Sequence, residues 1–181
     1  MQDLFEIIRE RRSVRKYEEK DIPEDILNQV LEAVRWAPSW ANTQCWEIVV
    51  IKDLAVKEKI QAAFPPKGNP ATKAVVAAPV VLALCAKLNS SGYYKDMVTT
   101  KFGDWFMFDL GLAAQTICLA AHDLGLGTVI TGLFDHNKAG EVLKVPGGYE
   151  LVSIIPMGYP VKKSSAPKRK EIGEFTHYDG F

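Results

Sequence analysis

Cysteine is scarce in this sequence, and nothing pairs it. Cys45, Cys85 and Cys118 are odd in number for a closed disulfide framework and too far apart for a zinc pair. They read as core packing in a reducing compartment. Charge of one sign is missing too, because 22 lysines and arginines cancel 22 aspartates and glutamates. That balance excludes a global field for nucleic acid or an anionic membrane, so any anion site must be local. The uncharged stretch Leu110 to Ala121 in the long apolar region is well short of the ~20 residues of a membrane span. Met1-Gln2-Asp3 opens straight into an amphipathic pattern, without the basic start and apolar run of a secretory signal. The expected location is the cytoplasm.

The usual catalytic constellations are also absent. The sequence holds no H-E-x-x-H, C-x-x-C, G-x-S-x-G or Walker phosphate loop. His122, His136 and His177 are scattered, and none is expected to bind a metal. Gly125-Leu126-Gly127 follows a helical pattern instead of a strand, which excludes a Rossmann fingerprint.

What is present fits an ordinary globular chain, expected to be a single domain over residues 1–181. With 48% hydrophobic and 24% charged residues, it can bury about 70% of its unfolded surface, enough for a core without metal or disulfide. Asp3 and Glu6 suggest a capping box ahead of a short helix that delivers a basic run from Arg9 to Lys16. A second helix starts near Pro23, carries Ile26, Leu27, Val30, Leu31 and Val34 on one face, and stops at Pro38. Trp46 to Ile51 reads as a buried strand, Asp53 to Ala63 as a polar helix, Ala71 to Ala78 as helical and Val80 to Cys85 as a second inner strand. Strand followed by helix suggests α/β layering.

Asn89 to Thr100 has no clear period and is expected to be a mobile surface segment over a site. Phe102 to Leu124 is apolar nearly all round, and as a helix it would span roughly 35 Å. Such a helix is either buried centrally in one chain or shared with a second subunit. Thr128 to Thr131 and Leu151 to Pro156 read as two more strands, with a short helix from Asn137 to Lys144 between them. The tail from Lys162 to Phe181 has nothing to form its own core and is expected to wrap over a neighbour.

Two segments carry chemistry. Arg11, Arg12 and Arg15, with the Ser13 hydroxyl among them, concentrate guanidinium forks that match phosphate oxygens in pairs, although such a run also serves as a solvated surface. Pro38 to Trp46 is dense in hydrogen-bonding side chains: Ser39, Asn42 and Gln44 suit a planar heterocycle, and Trp40 or Trp46 could wall it. A plain turn fits the same residues.

Together these segments resemble the FMN-dependent nitroreductase family. The matching text is Arg11-Arg12-Ser13-Val14-Arg15-Lys16-Tyr17, Ala37 to Trp46, Ala78-Pro79-Val80-Val81, Asp109 to Gln115, Gly125-Leu126-Gly127-Thr128, Gly158-Tyr159-Pro160 and Pro167-Lys168-Arg169. The resemblance runs in order along essentially the whole chain. It implies an α+β sandwich in which a central, mostly antiparallel sheet is flanked by helices, in an intertwined homodimer with FMN at the subunit interface. By position, Arg11, Arg12, Ser13 and Arg15 would hold the phosphate and ribityl end, helped by Lys168 and Arg169. Pro38, Ser39, Trp40 and Asn42 would reach the ring of the flavin bound mainly by the other subunit. Ile130, Thr131 and Gly132 would run along that ring, with Asn69 on its pyrimidine side. Cys45 stands where proline is common in the family and Glu171 where many relatives have proline.

The activity implied is transfer of a hydride from NADH or NADPH, through FMN, to a small electrophilic acceptor such as a nitroaromatic or quinone, in a ping-pong cycle. Such a cofactor explains the missing triad, since it carries the chemistry and the protein supplies binding and orientation. The alternatives are other FMN chemistry on the same scaffold (dehydrogenation, dehalogenation, flavin breakdown) or flavin binding without turnover. Nucleic acid and membrane are not expected partners.

Overall fold

A computed structural model describes residues 3–181. In chain order the elements are α1 (Leu4–Glu10), α2 (Glu24–Arg35), β1 (Trp46–Ile51), α3 (Leu54–Gln61), α4 (Thr72–Ala77), β2 (Val80–Lys87), β3 (Tyr93–Tyr94), β4 (Met97–Val98), α5 (Phe106–Asp123), β5 (Gly127–Thr128), α6 (His136–Leu143) and β6 (Tyr149–Gly158). The main sheet has the order β1-β2-β6-β5, and every pair in it is antiparallel. The α/β layering suggested by strand-then-helix order is therefore corrected: neighbouring strands reverse, and the fold is α+β.

β2 sorts the core. Its residues from Val80 to Ala86 are all buried, and the two-residue period sends them to opposite faces. Leu82 and Leu84 pack with Leu27 and Val30 of α2 and with Ala113 and Ile117 of α5. Val81 and Ala83 pack on the other side with Ile60 of α3, Val75 of α4 and Ala139 of α6. Among the described residues, no helix is long and apolar enough to cross a membrane.

Several local expectations change. Asp3 is the N-cap of α1, but its carboxylate makes no capping bond, so the capping box is not formed. α5 begins later than the apolar pattern, because Thr100 and Gly103 close a turn in which Gly103 takes φ +76°. The segment from Asn89 to Thr100 contains a hairpin, β3–β4, whose two turn residues Lys95 and Asp96 both have positive φ. That turn lacks the Asn-Gly signature by which such hairpins are usually read. The hairpin itself lies at the surface as expected, with Tyr94, Met97 and Val98 exposed, whereas Ser91 just before it is fully buried.

The strand expected at Thr128–Thr131 is interrupted after Thr128. The register holds, since Thr128 faces Met157 and Thr131 faces Ile154 with both backbone bonds formed. Between them Val129 faces Pro156, which has no N–H to donate, and only a long 3.4 Å bond from the Val129 N–H remains. Proline in β6 thus loosens the outer strand.

Candidate functional site

The basic run is fixed against the outer edge of the sheet. Leaving α1, the chain pairs Ser13 with Thr128, and the Val14 N–H donates to the Thr128 carbonyl at 2.8 Å. Farther along, the Glu18 N–H donates to the Tyr159 carbonyl at 2.9 Å, and the buried Tyr17 hydroxyl reaches the carbonyls of Val14 and Pro156. Two glycines permit this approach. A Cβ on Gly127 would lie 2.5 Å from Val14 Cγ2, and one on Gly158 would lie 3.0 Å from the Tyr17 ring.

The result is a recess of about 310 Å³ in which Arg11, Arg12, Ser13 and Arg15 face Arg169 and the hydroxyl residues Ser164 and Ser165 of the tail. Arg12 Nη1 donates to the carbonyls of Arg9 (2.6 Å) and Arg11 (2.7 Å), while its buried Nε has no partner. Arg15 makes only a 3.4 Å bond to the Ser13 carbonyl. Among the described residues, none of these four arginines pairs with a carboxylate. Four mutually repelling guanidiniums with an orphaned donor suit a phosphate monoester, which carries close to two negative charges and accepts paired hydrogen bonds. Lys168 is exposed and lies outside the lining of the recess. Ser164 and Ser165 escaped the sequence reading; their place just before Pro167-Lys168-Arg169 was the available signal.

The Pro38–Cys45 turn is built differently. A 3-10 turn covers Trp40–Asn42, and Ala41, Asn42 and Gln44 all hold positive φ (44°, 56° and 47°). Left-handed backbone at non-glycine residues is costly and persists only where the surroundings enforce it. Ser39 Oγ accepts the Gln44 N–H at 2.9 Å, and Gln44 Nε2 donates to Asn42 Oδ1 at 3.3 Å. Ser39, Asn42 and Gln44 thus spend bonding capacity on the turn itself, while Pro38 and Asn42 stay exposed and Trp40 half-buried.

Beneath the turn lies a residue that sequence reasoning missed. Asp109, on the first turns of α5 and only 1% exposed, accepts the Trp40 N–H on both carboxylate oxygens (3.0 and 3.2 Å). Its Oδ2 also takes the Ser91 hydroxyl at 2.6 Å and the Cys45 thiol at 3.6 Å. An acid at the edge of an apolar helical run was the signal. Burial first, and then Asp109, push the Cys45 thiol up to about 12, so it remains a protonated donor and not a nucleophile.

Ile130, Thr131 and Gly132 continue the edge that Ser13 joins. The Thr131 hydroxyl is tied to the Ile154 carbonyl at 2.6 Å, whereas Ile130 is 47% exposed. Asn69 sits beside them, but its side chain is engaged: Nδ2 donates to the Leu133 carbonyl and Oδ1 accepts the Ala71 N–H, both at 2.9 Å. The arginine run, the 130–132 edge and Asn69 therefore share one rim. The Pro38 turn does not join them. It hangs on Asp109, while the Thr128 hydroxyl contacts Cys118, about 13.5 Å farther along α5. The outward face of α5 exposes Met107 (61%) and Phe108 (58%), and α1 exposes Phe5 (67%). No group of side chains able to hold a metal ion occurs among the described residues.

Known proteins place this arrangement. A protein of Methanothermobacter thermautotrophicus, named for NADH dehydrogenase and NAD(P)H nitroreductase activity, is 32% identical over 164 residues, covering 88% of this chain and 78% of that protein. The FMN reductase [NAD(P)H] of Bacillus subtilis is 29% identical, covering 93% of this chain and 70% of its own length. A nitroreductase family protein from Clostridium novyi NT superimposes with a TM-score of 0.79 at 28% identity, over 91% of this chain and 89% of that one. The Nitroreductase family itself matches residues 8–159, which span the arginine run, the 38–45 turn, all four main strands and Gly158-Tyr159. With that likeness and this fold, the chain belongs to the nitroreductase family.

Proposed function

We propose that this protein is an FMN-dependent NAD(P)H oxidoreductase, a single cytoplasmic domain that acts as a homodimer on small electrophilic acceptors such as nitroaromatics or quinones. The observation that carries the proposal is the recess in which four guanidiniums meet without a carboxylate among them and the buried Arg12 Nε has no partner. When bound, FMN supplies the hydride acceptor and donor that no side chain here provides, alternating between NADH or NADPH and the acceptor in one cleft.

The chain's own residues bind and orient. Arg11, Arg12, Ser13, Arg15 and Arg169 hold the phosphate by charge-assisted hydrogen bonds, with Lys168 adding charge from the tail. Ile130, Thr131 and Gly132 present backbone along the ring, and Asn69 fixes the neighbouring loop through Leu133. Pro38, Ser39, Trp40 and Asn42 complete the ring pocket of the partner subunit. Support for that last step is geometric: within one chain the turn sits toward the far end of α5 from the arginine run, and the apolar faces of α1 and α5 offer a surface for pairing. Names of relatives that give FMN and NAD(P)H point the same way.

The test is reconstitution of the purified protein with excess FMN, an absorption spectrum, mass identification of the released chromophore, and anaerobic mixing with NADH and with NADPH. The reading expects a flavin spectrum that bleaches with at least one nicotinamide and recovers on adding a quinone. A protein that takes up no FMN overturns it.

A further inference from the structure

We infer that Asp109 is the positioning residue of the Ser39–Gln44 turn: its buried carboxylate fixes the Trp40 N–H, and through it the face of the turn presented to the flavin. This rests on the flavin reading above. Every partner of Asp109 is a donor: the Trp40 N–H shared by both oxygens, the Ser91 hydroxyl and the Cys45 thiol. A carboxylate is the side chain that only accepts, so it satisfies all three at once, whereas an amide would turn an N–H toward one of them.

No cation lies within salt-bridge distance of Asp109 among the described residues. A buried charge neutralised only by neutral donors is an expensive way to hold a helix in place, and α5 already has Leu110, Ala113 and Ile117 for that purpose. What the carboxylate adds is constraint on a turn with positive φ at Ala41, Asn42 and Gln44, a backbone that drifts unless something over-determines it. Cys45 adds its thiol to the same carboxylate oxygen that takes the Ser91 hydroxyl. Ser91 brings in a third segment: its carbonyl accepts the Trp105 N–H at 2.9 Å, which ties the stem of the β3–β4 hairpin to the same hub. Asp109 lies outside the lining of the arginine recess, so its effect is confined to placement of the turn.

The test uses the full-length protein and two readouts, amide hydrogen exchange at Trp40 and dissociation constants for FMN and riboflavin. In Asp109→Asn, exchange at the Trp40 amide is expected to quicken by about tenfold or more, as befits loss of a bond to a charged acceptor, while β2 and β6 keep their protection. FMN and riboflavin affinities should fall by the same factor, leaving unchanged their ratio, which the arginine recess sets. Ser91→Ala should produce a smaller change in the same direction. Unaltered Trp40 exchange in Asp109→Asn overturns the inference, as does uniform loss of protection throughout the sheet. Should Asp109→Asn fail to fold, Ser91→Ala and Cys45→Ala decide instead, and wild-type Trp40 exchange in both overturns it. If the wild-type chain binds neither flavin, the flavin reading falls, and slower Trp40 exchange in wild type than in Asp109→Asn still supports the positioning role.

Discussion

Replacing Arg12 and Arg15 together by alanine is the most direct perturbation of the recess. Arg12 Nη1 is committed to the carbonyls of Arg9 and Arg11, which leaves the orphaned Nε and the rest of the fork for a ligand, and Arg15 is nearly free. If each contributes one charge-assisted bond to the phosphate, at about 1.5–3 kcal/mol per bond, the double variant loses about 3–6 kcal/mol. That corresponds to a drop in FMN affinity of about 10²- to 10⁴-fold. Fold stability should change little, because two backbone contacts of Arg12 are lost while repulsion among unpaired guanidiniums is relieved. The assay is fluorescence titration of the apoprotein with FMN and with riboflavin at low and high salt. Wild type should prefer FMN, less so as salt rises; the double variant, left with Arg11, Ser13 and Arg169, should keep only a weak preference for FMN. Lys52→Ala, which removes an exposed pair with Glu24, serves as the control with unchanged affinity. Equal loss for riboflavin and FMN, or no loss for FMN, would refute a phosphate role for these arginines.

Other outcomes follow from the same geometry. Gly127→Ala puts a methyl against Val14, so thermal melting should show a loss of about 1–3 kcal/mol, with weaker FMN binding because the arginine run is displaced. Phe108→Glu places a charge on the open face of α5; sedimentation should then report monomers, and flavin affinity should fall with them. Cys45, Cys85 and Cys118 are all buried and free, so a thiol reagent should react with none of them in the native protein and with all three after denaturation. Burial raises the Cys45 thiol from 9.0 to about 12 and the Cys85 thiol from 9.0 to about 11, so the native state holds protons that the unfolded chain releases. Stability should therefore decline as pH rises above 9.0, levelling only past those folded values, and denaturant titrations of Cys45→Ala and Cys85→Ala should show a shallower decline.

Much of this fold could be read from the chain because local pattern and burial agree. Trp46 to Ile51 is a strand as read but lies at the sheet's edge with only Ile51 buried, so the expected burial on both faces is corrected there, whereas the neighbours of Leu82 and Leu84 are buried as expected. The arginine run stood out in the chain, but four basic residues leaving a short helix suit a solvated surface as well, and only the fold brings Arg169 to face them. Non-local features were not legible. That Pro156 faces Val129 depends on which strand pairs with which, and Asp109 becomes notable only when Trp40, Cys45 and Ser91 converge on it. Strand-then-helix order misled about the sheet because it does not encode whether the next strand reverses. Asn69 illustrates the limit for a site: its residue type suited a ring contact, but the sequence does not show that one N–H and one lone pair of its amide are already taken by Leu133 and Ala71.

The break opposite Pro156 also bears on how the apoprotein behaves. Beyond Thr128 the rim of the sheet is thinly covered: Ile130 donates no backbone bond within the chain among the described residues, and a Cβ on Gly132 would meet open space. Raw strand margins recruit other strands. A cofactor lying along this margin would double as its cover, so protein made while flavin is short should clump more readily than the same protein made with flavin plentiful.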